Sequence, residues 1–240
     1  MGPRSLAILL LLTLAALGLL AGQDGFRPFV PSLLEGASVT VRLALAICGV
    51  AVIAAAVAGI ARAHAPRPLR WLAIAYIEVF RGTSALVQLF WIFFVLPQFG
   101  LTIEAFPAAV LCLGLNGGAY GAEIVRGALG AVPATQWEAA AALNMSRPLT
   151  LGRIILPQAL AAMIPPMGNL FIELLKATSL VSLITLGDLT FRARQLDQAT
   201  METGRIFLLV LLGYLALSLG LTLAMRLAER GVAPPAGRRA

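Results

Sequence analysis

A chain of 240 residues of which 60% are hydrophobic and only 12% charged, with a mean hydropathy of +0.91, lies outside the composition of water-soluble domains, where roughly a quarter of residues carry charge. It belongs in a bilayer. Its formal net charge of +7 comes without the interleaved basic and aromatic residues of a nucleic-acid surface, and is read below as topology.

Hydrocarbon gives the backbone no hydrogen-bond partners, so a spanning segment must be a helix of about 20 mostly apolar residues. The opening stretch after Arg4, LAILLLLTLAALGLLAG, is short. It reads either as a cleaved signal peptide, with small residues near Ala21 and Gly22, or as a retained helix, which the want of a clean A-x-A site favours. Five further spans are predicted over residues 38–61, 72–97, 106–125, 159–186 and 206–225.

Arg62, Arg67 and Arg70 follow the second helix, Arg126, Arg147 and Arg153 the fourth, and Arg226, Arg230, Arg238 and Arg239 the last. The other loops are acidic or mixed, with Asp24, Glu35, Glu104, Asp188, Asp197 and Glu202. The positive-inside rule then puts both termini of a multi-pass membrane protein in the cytoplasm. Residues 1–31 form an N-terminal helix and external loop, 32–229 the transmembrane domain, and 230–240 a disordered cytoplasmic tail.

The chemistry available inside these spans is sparse. Cys48 and Cys112 sit in apolar helices as small hydrophobes, and His64 is the only histidine. The pattern therefore offers no metal cluster, no Ser/His/Asp constellation and no Gly-rich nucleotide loop. An uphill step needs an ion gradient or another subunit.

Polar residues do recur on two helix faces. Asn116, Tyr120 and Glu123 are spaced i, i+4 and i+7, as are Asn169, Glu173 and Lys176, with Thr178 and Ser179 just beyond; both stripes read as a cargo path. Glu173 and Lys176 are three residues apart, close enough for an intrahelical ion pair, so the alternative is that they neutralise each other and pin helices. Glu78 and Arg81 raise the same choice, and Glu123 with Arg126 forms a possible brace. Gly114, Gly117, Gly118 and Gly121 thin one helix wall for a close approach, either within the bundle or to a second subunit. Pro165 and Pro166 predict a bend or interruption, a candidate moving gate.

One segment breaks the apolar run: WEAAAALNMSRPLTLGRIILP, residues 137–157. Trp137, Ala141 and Met145 recur at helical spacing, Asn144 suits a left-handed turn, and Ser146 and Pro148 make a helix start. The expected shape is a short helix, a turn and a second helix at the membrane surface; an interfacial amphipathic helix resting on lipid is the alternative. The spacing of Glu138, Ala139, Ala140, Asn144, Ile154, Leu156 and Pro157 resembles the EAA loop of permease subunits in ATP-binding-cassette (ABC) importers. Residues 32–229 resemble the polar amino-acid permeases (histidine, glutamate, glutamine, arginine) through SLLEGASVTVRLALA, RWLAIAYIEVFRGTSALVQLFW, LNGGAYGAEIVRGAL and IILPQALAAMIPPMGNLFIELLKATSLVSLITLGDL. FRGTSALVQLFWIFFVLPQFG and ALNMS look most like the ectoine and hydroxyectoine permeases. Ser84 stands where most members have Pro, Ala134 and Thr135 where they have Lys-Gly or Arg-Gly, and Asn144 where they have Gly.

The resemblance implies an all-α type I ABC importer permease fold, five core helices plus one N-terminal helix, with a coupling helix that docks on the ATPase through Glu138. It implies two copies of that ATPase, which bind the ATP and Mg while this chain binds no cofactor and performs no catalysis. It also implies a second permease, identical or homologous, and an extracytoplasmic solute-binding protein. An ion-coupled secondary transporter is the rival class, for which no inverted repeat is visible.

Overall fold

The computed structural model describes residues 2–232, and these are all-helical. In chain order they form α1 (Pro3–Ala21), α2 (Val30–His64), α3 (Arg67–Gly82), α4 (Ala85–Phe90), α5 (Ala105–Ala131), α6 (Ala134–Ala142), α7 (Arg147–Thr150), α8 (Leu156–Ala177), α9 (Leu189–Thr200) and α10 (Thr203–Val232). By length and composition, α1, α2, α5, α10 and the rod Arg147–Ile184 can each cross a bilayer, and the bent pair Arg67–Gly82 with Ala85–Phe99 makes the sixth span.

That bend corrects the expected straight helix over 72–97. The chain turns by 101° between the two parts, because Gly82, Thr83 and Ser84 are poor helix formers that leave Thr83 extended at φ −123°, ψ 151°. The carbonyls freed in an apolar setting must find donors. The Gln88 amide donates to the carbonyls of Phe80 (2.9 Å) and Thr83 (3.3 Å), and Asn116 donates to Phe80 as well (2.8 Å).

The bundle is built on a seam between α2 and α5. A Cβ at Gly118 would lie 2.5 Å from the Ala54 methyl, and at Gly114, Gly121 and Gly59 it would lie 2.7 Å from Val50, Ala55 and Val125. The glycine face therefore serves a contact inside this chain, with Gly117 also pressed against Leu174 of α8. Leu43, Ile47, Leu89, Leu113, Val181 and Ile184 fill the core around the seam.

Three other expectations change. Helix α8 runs from Leu156 to Ala177 with Pro165 and Pro166 inside it; the residues they deprive of hydrogen bonds do not break the rod. The second helix of the 137–157 segment is not separate, since α7 passes through a wide π-helical turn, Leu151–Ile155, straight into α8. Arg230, Gly231 and Val232, placed in the tail, extend α10 by continuing its helix, while residues 233–240 lie outside the described residues.

Helix α9 occupies a stretch read only as a charged loop. Buried Asp188 caps it, accepting from the N–H of Phe191 (2.9 Å) and Thr190 (3.2 Å). Thr185 and Met201, at φ 61° and 56°, turn the chain sharply before and after it.

Candidate functional site

At the end of the bundle where α2, α5 and α10 finish, the 137–157 segment forms a small platform. Trp137 stacks on His64 at the end of α2, ring centroids 5.6 Å apart, and packs with Leu151, Ile154 and Leu156 on a core of Val125, Leu129, Ile155 and Met163. Ala140 is buried as well. These side chains anchor the platform. Glu138, Ala139, Asn144 and Pro157 face outward, joined by Leu143, 74% exposed. Asn144 closes the turn at φ 58°, the left-handed conformation that asparagine tolerates better than most residues. The platform thus divides into an inner row that grips the bundle and an outer row that offers one carboxylate beside exposed apolar side chains.

Next to it, Glu123 is held by two arginines, Arg62 of α2 at 2.5 Å and Arg126 at 2.8 Å, with Glu78 3.7 Å from Arg62. The i, i+3 pair of Glu123 and Arg126 was readable in the sequence; Arg62, from another helix, was not. Arg81 does not pair with Glu78 but lies over the Tyr120 ring, 5.3 Å from its centroid.

The two polar stripes differ in how far their groups are already satisfied. Asn116 is half-buried and committed to Phe80 and to Gln88 Oε1 at 3.2 Å. The Thr178 hydroxyl donates to the Leu175 carbonyl and that of Ser179 to Lys176. Asn169 borders a pocket of about 100 Å³ with Thr222, Met225, Arg226 and Glu229. Glu173 and Lys176 are exposed, and among the described residues neither belongs to an ion pair, so the alternative in which they neutralise each other finds no contact here. The α5–α8 contact itself uses Gly117, Gly121, Leu170 and Leu174, so each stripe lies one residue, about 100° of helix, to its side.

Sequence reasoning missed the opposite end. There the Asp188 carboxylate accepts from Tyr214 (3.3 Å), the Thr190 hydroxyl lies 3.0 Å from the Tyr214 hydroxyl, and Thr40 of α2 accepts from the Leu189 N–H (3.1 Å). Three helices are tied together by this cluster. An acidic residue directly before a new helical run was the available signal.

Residues 51–234 match the family described as binding-protein-dependent transport system inner membrane component. The chain belongs to that family. It is 51% identical over 177 residues to a probable amino-acid ABC transporter permease protein, y4tF, of Sinorhizobium fredii, covering 71% of this chain and 74% of that one. It is 36% identical over 205 residues to the glutamine transport system permease protein GlnP of Escherichia coli, covering 85% and 94%. Among solved structures, one described as an amino acid ABC transporter with histidines superposes with a TM-score of 0.81 at 33% identity over 86% of this chain and 97% of that one. The MetNI methionine ABC transporter superposes at 0.74 with 19% identity, over 86% and 99%, a likeness of fold alone. The fold of this membrane component is that of a type I ABC importer permease.

Proposed function

We propose that this chain is the permease subunit of an ATP-driven importer for polar amino acids or amino-acid-like zwitterions. The observation that carries the reading is the platform: an outward row headed by Glu138, continuous through α7 with the rod that bears Glu173 and Lys176. A partner that closes on the platform can move the α8 rod directly. That partner is a pair of ATPase subunits, whose ATP and Mg supply the energy; a solute-binding protein delivers cargo at the Asp188 end, and a second permease completes the path. Both termini are cytoplasmic in this arrangement.

Within the path, Tyr120, Asn169, Glu173 and Lys176 face cargo, while Asn116, Glu123, Thr178 and Ser179 shape its wall. Unpaired charges in a span are too costly to leave in lipid, which favours a watery path or a second subunit beside Glu173 and Lys176. Relatives named for glutamine, arginine and cystine support the amino-acid class. Ectoine and hydroxyectoine are the finer reading, supported by FRGTSALVQLFWIFFVLPQFG and ALNMS.

The test is uptake of labelled ectoine, arginine, glutamate and glutamine by cells that lack their own importers and express this chain with its neighbouring genes. Glu138→Ala should abolish uptake while the protein remains in the membrane; undiminished uptake would sink the coupling role. Ectoine uptake resistant to excess amino acids assigns the finer cargo, whereas Glu138-dependent uptake of an amino acid alone removes ectoine.

A further inference from the structure

Where α2 is left open it carries the side chains that lipid covers: Leu45, Val52, Ile53 and Val57 are all exposed. The open strip of α8 is different. Ala162, Pro165, Asn169, Glu173 and Lys176 are exposed at steps of three and four residues, which keeps them on one helix face. Between Leu160 and Leu183 no large apolar side chain is exposed among the described residues. The other sides of this helix are taken, by α5 through Leu170 and Leu174 and by α10 through Gly168 against Met225. A strip that presents an amide, a carboxylate and an ammonium is costly against hydrocarbon and calls for polar or charged partners.

The strip is complementary to itself. Glu173 and Lys176 carry opposite charges three residues apart, about 4.5 Å of helix, and among the described residues neither is paired within its own chain. A second copy inserts in the same orientation, because its loops carry the same charges. The two-fold axis relating the copies therefore stands along the membrane normal, and each residue lies at the depth of its counterpart. In such a contact a pair made once is made twice. We infer that the α8 strips of two copies of this chain face each other, with Glu173 of each paired to Lys176 of the other. All four charges are then neutralised with no further component. The inference rests on the reading of the chain as one half of a permease pair. A zwitterion carries the same two charges, so cargo can replace each pair as the strips part.

Lys176 is the only lysine of the chain, which makes the pair addressable. In the assembled transporter a membrane-permeant carbodiimide, which joins a carboxylate directly to an amine, should give a covalent permease dimer with Glu173 bonded to Lys176 on peptide mapping. Lys176→Arg keeps the charge and should lose that bond. Charge reversal supplies a second measurement. A copy with Glu173→Lys and a differently tagged copy with Lys176→Glu, expressed together, should form mixed pairs in excess of random assortment, counted by native mass spectrometry, because each like-charged strip matches only the other. Absence of the covalent dimer, a bond confined within one chain, or random assortment overturns the inference. Neither readout depends on uptake: a chain that pairs but imports nothing removes the importer reading alone, and an importer without the cross-link removes the pairing alone.

Discussion

Two side chains show how a polar group inside an apolar bundle acquires a purpose. Asn116 satisfies the Phe80 carbonyl left open by the break between α3 and α4. Replacing it by leucine leaves Gln88 as the one side-chain donor to that carbonyl and takes the donor from Gln88 Oε1, at a cost of about 1 kcal/mol, so Asn116→Leu should lower the thermal midpoint of the purified protein while the cargo KM stays within about twofold; a large KM change with unaltered stability would instead make Asn116 a cargo contact. Asp188, outside the spans, has its pKa pushed up to about 6, chiefly by burial, against hydrogen bonds from Phe191, Thr190 and Tyr214 that lower it. Its ordinary value is 3.8. Between those values the folded protein holds a proton that the unfolded chain has released, so this group's contribution to stability falls as pH rises from about 4 to about 6 and is level above. Asp188→Asn keeps an oxygen for the cap and should flatten that slope in thermal unfolding measured at pH 4.5 and 7; an unchanged slope would assign it to other groups.

For the elements, packing decides what composition leaves open. The methyl group of Gly118→Ala meets Ala54 at 2.5 Å, a contact that neither backbone nor Cβ can relieve by rotation, so the variant should lose about 1–3 kcal/mol and accumulate poorly in the membrane; Gly49→Ala, which meets nothing within 4 Å on the same pair of helices, is the control. The spans themselves were legible because twenty apolar residues in lipid have one solution, and the 137–157 platform was legible because its polar residues interrupt them. The break at Thr83 was not, since the apolar pattern continues on both sides and the compensating donors, Gln88 and Asn116, act across the fold. Helix α9 was hidden by its polarity, and the partners of Glu123 and Asp188 by sequence distance: a single chain order shows which residues share a helix face but not which helix lies opposite.

At the scale of the whole molecule, the platform, the α8 rod and the Asp188 cluster form one connected line from end to end, with the α2–α5 seam beside it. The seam admits no sliding, because a glycine notch shallower than a methyl group locks each helix at a fixed height on the other. Spin labels on exposed Val52 of α2 and Leu111 of α5 should therefore report a single distance throughout the transport cycle, whereas a label on Leu143 should change its distance to α2 when ATP binds; a distance between Val52 and Leu111 that splits in two would show the seam opening. If those two helices are the stator, motion is confined to the joints that the glycines do not lock: the corner at Thr83 and the tight 3-10 segment Thr178–Ile184 that follows α8. A permease of this shape works less like a bundle that breathes than like a fixed post with a crank, and substitutions that stiffen either joint should slow turnover without loosening the fold.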